Sequence, residues 1–205
     1  MKLYAFPASP NTWKVRATAH QLGVPLDLEI VDLTKGAQRK PEYLALNPTG
    51  RTPTLVDGSF VLWESTAIMQ YLADKVKTPM WPADSKSRAD IVRWQSWHLQ
   101  HWSRGVTPFI FENLVKAIMK MGDPDQKALA TAAELFHADA AVLDQHLGRH
   151  PWLVNDTMTL ADFTVVAPLV HAEPAKLPLE KYSNIKRWMA TLLALPAWRE
   201  TAPKR

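Results

Sequence analysis

The chain has 205 residues, 47% hydrophobic and 21% charged, enough apolar material for one large or two small globular domains. Its net charge of +4 comes from basic residues scattered singly, without the basic run that a nucleic-acid surface would need. Cysteine is absent, which excludes disulfides, thiolate metal sites and a cysteine nucleophile of the protein's own, so any thiol chemistry must use a thiol brought by a ligand.

Lys2 to Phe6 reads as a short strand ended by Pro7. Ala8 to Thr12 is a turn, Trp13 to Leu22 a helix stopped by Gly23, and Leu26 to Val31 a second strand. The crossover between the two strands is long enough to make them parallel. A polar loop runs from Thr34 to Lys40, and Pro41 to Ala45 is a helical turn. Thr54-Leu55-Val56 and Phe60 to Trp63 flank Asp57-Gly58, the strongest short hairpin signal, and an amphipathic helix follows with Ile68, Tyr71 and Leu72 inward. This βαβ…ββα module is assigned to residues 1–77, and the proline-rich stretch 78–84 to a linker. Residues 85–205 read as all-helical. Ser85 to about Gly105 is one helix, and Pro108 to Met121 another, broken from the first at Thr107-Pro108. Asp123-Pro124 then caps an alanine-rich helix to Leu147. Thr159 to Asp162 resembles a capping box, and Asn184 to Leu195 forms the last clear helix.

Two places carry chemistry. Glu64-Ser65 lies where a hairpin strand feeds a helix, and the first N–H groups of a helix have no internal partner and face a dipole that favours anions. Ser65 with those N–H groups would take a ligand carboxylate, and Glu64 a ligand ammonium, which together describe a site for the α-amino-acid end of a small molecule. A plain helix-capping role for Ser65 stands beside that reading. Pro53 opens the hairpin as an edge or turn device. Were Thr52-Pro53 cis, the Thr52 N–H and C=O would be free to pair with an extended peptide, although a trans bond is the commoner state. The second place is Ser9, in the turn feeding the first helix, where a hydroxyl at a positive helix end can donate to a ligand thiolate; it stands against an ordinary capping serine.

These residues carry a resemblance. Leu46 to Ala73, LNPTGRTPTLVDGSFVLWESTAIMQYLA, resembles the glutathione-binding segment of the cytosolic glutathione S-transferase family, and Tyr4 to Val15 resembles its serine-type, phi-like and theta-like members. Over essentially the whole chain the resemblance implies a thioredoxin-like N-terminal domain followed by an all-helical C-terminal domain, with a cis proline at Pro53. It implies Ser9 as the thiolate-activating donor, with Thr12 as the fallback, and Glu64 and Ser65 on the γ-glutamyl end of glutathione. Thr52 would bond the cysteinyl unit through its backbone, beside Arg51 where relatives carry Gln or Lys. Gln38, Arg39 or Lys40 would hold the glycine carboxylate. Trp13 departs from the pattern, standing where arginine is common. Thr159 to Asp162 matches a capping box whose job is folding.

Trp97, His98, His101 and Trp102 crowd one long helix, with Phe109 after it; they are the expected electrophile pocket, although such stripes are more often core or subunit interface. No metal is expected, since His98 and His101 lack a third ligand, and no cofactor beyond glutathione as co-substrate. The function implied is conjugation of glutathione to a small hydrophobic electrophile by a cytoplasmic homodimer that binds neither nucleic acid nor membrane. The alternatives are a non-catalytic glutathione-binding or assembly protein, and a glutathione-dependent peroxidase, isomerase or dehalogenase on the same fold.

Overall fold

The computed structural model describes residues 1–203 and divides the chain into two compact units. One is Met1–Pro82 together with the residues from Ala194 onward; the other is Ala83–Leu193. The final stretch therefore packs with the first unit, not with the helical domain to which residues 85–205 were assigned, and Lys204 and Arg205 lie outside the described residues.

The first unit is built on strands β1 (Lys2–Ala5), β2 (Asp27–Ile30), β3 (Thr54–Asp57) and β4 (Phe60–Trp63), in the order β2-β1-β3-β4. β1 and β2 are parallel, joined through helix α1 (Pro10–Leu22), and β3 is antiparallel to both β1 and β4. Leu3 on β1 and Leu55 on β3 are register partners, and both are fully buried. The hairpin loop sits one residue later than the sequence suggests: Asp57 pairs with Phe60, leaving Gly58-Ser59 as the two-residue loop. Only Gly58 has positive φ (60°), which matches a type II′ turn with glycine first, not the Asp-Gly type I′ turn. Helix α2 (Pro41–Leu44) precedes the hairpin, and α3 (Ser65–Asp74) follows it and packs on α1. Ile68, Met69 and Leu72 supply the buried face of α3.

Helix α1 is buried on unusual residues. Thr12, Lys14 and Thr18 are fully inaccessible beside Val15 and Ala17. Its outer side is covered by the returning C-terminal stretch. There Trp198 is buried, its ring centroid lies 6.0 Å from that of Trp13, and its carbonyl accepts the Trp13 indole N–H at 3.1 Å.

In the second unit the helix that starts at Ser85 does not stop at Thr107. Helix α4 (Ser85–Trp97) continues through a π-type turn at His98–Trp102 into α5 (Ser103–Ile110), then through a second π-type turn at Phe111–Val115 into α6 (Lys116–Met119). Pro108 lies inside α5; the wider turns on either side allow the hydrogen-bond ladder to skip a residue, so the missing N–H breaks nothing. The cap of α7 (Gln126–Leu147) is Asp125, two residues after the expected Asp123, and its carboxylate accepts Lys127 N–H at 2.9 Å and Ala128 N–H at 3.2 Å. The capping box at α8 (Leu160–Val166) is present with both of its bonds. Helix α9 (Ser183–Leu193) lies within two residues of the expected last helix at each end, and Pro196 opens a further short helix beyond it, α10 (Pro196–Arg199).

Where α5 crosses α7, Gly105 is the contact residue: a Cβ on it would lie 2.6 Å from both the backbone N and Cα of Phe136. Gly105→Ala must push the two helices apart and should cost about 1–3 kcal/mol, as overpacked cores do. Urea denaturation measures this, and an unchanged midpoint would show that the crossing yields without loss.

Candidate functional site

Five of the sequence-predicted residues, Arg51, Thr52, Pro53, Glu64 and Ser65, line one cavity of the first unit together with Asn11, Asn47 and Thr49. The Thr52-Pro53 peptide is cis. The Thr52 N–H and C=O have no hydrogen-bond partner among the described residues. They offer one donor and one acceptor to an extended ligand, the pairing by which a peptide adds to a sheet edge.

Two residues that sequence reasoning passed over hold this loop. Asn47 donates through Nδ2 to the Arg51 carbonyl at 2.9 Å and to Thr54 Oγ1 at 3.0 Å, while its Oδ1 accepts the Thr49 N–H at 3.0 Å. The Tyr43 hydroxyl donates to the same Arg51 carbonyl and lies 2.9 Å from Thr54 Oγ1. Burial pushes the Tyr43 phenol above its ordinary range. The Asn-Pro turn is the only sequence signal for Asn47; for Tyr43, on the helical turn before it, the sequence gives none.

Glu64 is the cap residue of α3, with φ 73° and ψ 111°, and its side chain caps nothing. A non-glycine residue with positive φ is costly, and such outliers gather where a site demands a particular backbone. Its carboxylate has no hydrogen bond among the described residues. Ser65 is the first helical residue, not the cap, so the simple capping role is set aside; its hydroxyl faces Asn11 Oδ1 at 3.4 Å. The first intrahelical bond is made by Ile68 N–H to the Glu64 carbonyl at 3.0 Å, which leaves the N–H groups of Ser65, Thr66 and Ala67 for a ligand anion. An open carboxylate and an anion-binding helix start thus sit on adjacent residues.

Ser9 stands outside this cavity lining, two residues before Asn11. It precedes α1 with extended backbone, its side chain makes no capping bond, and it is half-buried. Pro10 occupies the first helical position, and the Ser9 hydroxyl accepts from none of the N–H groups that follow it. Thr12 is fully buried and offers no surface to a ligand.

The loop candidates separate. A Cβ on Gly50 would lie 3.1 Å from Arg39 Nη1 and from the Gln38 carbonyl, so residues 38 and 39 flank the turn that leads into the cavity. Lys40 instead lines another cavity, with Tyr4, Glu29 and Tyr43.

In the second unit the expected electrophile residues do not share one surface. Trp102 is fully buried, its indole N–H donates to the Val165 carbonyl at 3.2 Å, and it stacks on Trp97 at 5.8 Å. His98 is buried, 3.4 Å from Ser103 Oγ. Trp102 and His98 are core, and Trp97 is half-buried against them. His101 is exposed, and Phe109 lines a surface cavity with Asn113 and Leu129. Phe111, which follows Phe109 in the aromatic cluster of the sequence, is exposed at the second π-type turn, and so beyond it are Ile118, Met119 and Met121, which sequence reasoning missed.

Comparison with known proteins bears on the same two units. The sequence family described as glutathione S-transferase, N-terminal domain, matches residues 3–79, and glutathione S-transferase, C-terminal domain, matches residues 106–196. Glutathione S-transferase 3 of Zea mays is 34% identical, over 98% of this chain and 92% of its own length. Human glutathione S-transferase theta-2 is 32% identical, over 97% and 79%. Among solved structures, glutathione transferase F7 from Populus trichocarpa superposes with a TM-score of 0.90 at 25% identity, over 98% of this chain and 96% of that one.

Proposed function

The chain belongs to the glutathione S-transferase family, and on that premise we propose that it conjugates the glutathione thiolate to small hydrophobic electrophiles. The observation that carries the reading is the cavity in which a cis-proline edge, an open Glu64 carboxylate and the free start of α3 meet. The tripeptide's cysteinyl backbone pairs with Thr52, its γ-glutamyl carboxylate takes Ser65 and the α3 N–H groups, and its ammonium takes Glu64. Arg39, beside Gly50, suits the glycine carboxylate better than Lys40, which faces another cavity. Ser9 donates its unused hydroxyl to the sulfur. The rate comes from that thiolate stabilisation and from holding two substrates together. For the electrophile, the exposed Phe111, Ile118 and Met119 strip and the Phe109 cavity supply apolar surface, in place of the Trp97–Trp102 stripe.

We assign the chain to the cytoplasm and to a homodimer without further cofactor. The edge strand β4, which exposes Phe60 and Trp63, supports the dimer. No helix of the described residues is long and apolar enough to cross a membrane.

The test is glutathione-dependent turnover of an activated aryl chloride, run beside thermal shift with glutathione. Millimolar glutathione should raise the melting temperature, and Glu64→Ala with Ser65→Ala should abolish that rise. Absence of any glutathione-dependent shift in the wild type would overturn the reading.

A further inference from the structure

One charge in the first unit has no explanation in packing. Lys14 lies on α1, fully inaccessible, and its Nζ makes no hydrogen bond or ion pair among the described residues. Long cations are almost never fully buried unless paired, because an uncompensated ammonium in a low-dielectric interior is strongly disfavoured. The surroundings of this one are specific. Lys14 stands one helical turn after Asn11, whose side-chain oxygen faces Ser65 Oγ at 3.4 Å, so its helix meets the start of α3 at that point. Glu64, the residue before Ser65, is the carboxylate whose charge reaches Lys14.

We infer that Lys14 is a positioning residue for the γ-glutamyl end of glutathione, supplying a buried positive charge that complements Glu64 and the ligand carboxylate at Ser65. The inference rests on the glutathione reading above. Without ligand, the charge of one carboxylate acts on the cation and leaves it incompletely compensated. Binding brings a second carboxylate to the start of α3, and the buried charge then gains the partner it lacks.

The charge is also titratable in an accessible range. Burial lowers the Lys14 pKa to about 8, and Glu64 acts against that fall. Most of the other charged or titratable groups on the elements packed against α1 are engaged elsewhere. On α3, the Tyr71 hydroxyl donates to Asp57, and Asp74 accepts the Trp81 indole N–H. On the returning stretch, Glu200 pairs with His20 at 3.0 Å, and Arg199 ends α10. A ligand carboxylate raises the Lys14 pKa, so binding takes up a proton near pH 8 and weakens as pH rises above it. Stability of the free protein moves the opposite way. The folded-state pKa lies below the unfolded value, so the unfolded chain holds more protons between about pH 8 and 10.5, and stability climbs through that window.

The experiment is calorimetric titration of S-methylglutathione, which has no titrating thiol, from pH 6.5 to 9.5 in buffers of differing ionisation enthalpy. Wild type, Lys14→Met and Lys14→Arg are compared, each with a thermal melt. The wild-type Kd should rise several-fold more between pH 7.5 and 9.5 than that of Lys14→Met, with proton uptake at pH 8 that Lys14→Met lacks. Lys14→Met should melt higher yet bind about 10-fold more weakly at pH 7, while Lys14→Arg should keep the affinity and lose the pH dependence. A purely structural lysine would move the melting temperature alone. Equal Kd profiles in wild type and Lys14→Met would overturn the inference and leave the glutathione reading standing; no binding by the wild type would overturn both.

Discussion

Replacing Ser9 with alanine should lower glutathione conjugation at pH 7 by about 10- to 100-fold while leaving the Kd for glutathione within about twofold. The size follows from one bond. A free cysteine-type thiol titrates near 8.5, and bringing it ~2 units lower needs roughly 2.7 kcal/mol of preference for the thiolate. A hydroxyl donating to an anion is worth about 1.5–3 kcal/mol, and the start of α1 adds a fraction of that. The Ser9 hydroxyl is free to make the bond because it caps nothing. The affinity should survive because the ligand's backbone and charged ends are held by residues of the cavity that Ser9 does not line. A pH–rate profile separates this role from others. The variant's rate should keep climbing toward the thiol's own pKa, where the wild type has already levelled. Equal profiles would remove Ser9 from the chemistry, and buried Thr12 is poorly placed to replace it.

The second large effect is on stability. Asp162 is fully buried in the second unit, and both of its oxygens are used. Oδ1 accepts Leu153 N–H at 3.1 Å and the Trp188 indole N–H at 3.0 Å; Oδ2 accepts Thr159 N–H at 2.8 Å and Thr159 Oγ1 at 3.2 Å. One carboxylate thus closes the start of α8, fixes the loop before it and anchors α9. Asp162→Ala leaves three buried N–H donors without acceptors, and should cost about 3–5 kcal/mol. At ~2–4 °C per kcal/mol for a chain of this size, the melting temperature should fall by roughly 10 °C. Asp162→Asn keeps the volume but turns an NH2 toward one pair of donors, so it should recover only part of the loss.

Burial pushes the Asp162 carboxyl up to about 6, against the pull of its four donors. The folded-state value is above the unfolded one, so the contribution is complete below about pH 4 and is lost as pH rises through 6. That amounts to roughly 3 kcal/mol. The difference in urea midpoint between wild type and Asp162→Asn, followed from pH 4 to 7, isolates this group from carboxylates such as Asp84 and Glu112. Hydrogen bonds hold those below their ordinary range, and they act with the opposite sign. A difference that does not change with pH would show that Asp162 stays ionised throughout.

What could be read in the sequence was what local chemistry dictates. The capping box at Thr159 to Asp162 needs only four residues to define it, and it is present. The strand–helix junction at Glu64-Ser65 was visible for the same reason. Errors arose where a distant partner decided. Pro108 marks a break unless wider turns flank it, and nothing local announces a π-type turn. Asp123 and Asp125 both suit a cap, and the choice fell to the one whose N–H is accepted by Glu112 at 2.7 Å, thirteen residues earlier. The aromatic stripe from Trp97 to Trp102 has the spacing of a wall, but Val165 and Phe136, remote in sequence, draw Trp102 into the core. Lys14 was invisible for a related reason: a lysine in a helix gives no hint that its whole length is enclosed.

The return of the C-terminal stretch to α1 bears on how the protein is born. Ribosomes release the chain from its first residue, and domains generally close as soon as their last segment emerges, at about 5–20 residues per second. Here the first unit emerges early but remains unfinished, because Trp198 must reach Trp13 from beyond 111 intervening residues, 83–193. For about 6–20 s the outer face of α1, the helix that follows Ser9, waits uncovered while the second unit is still being made. A nascent chain stalled inside the second unit would therefore present chaperones with an open α1, and only a completed polypeptide can withdraw it.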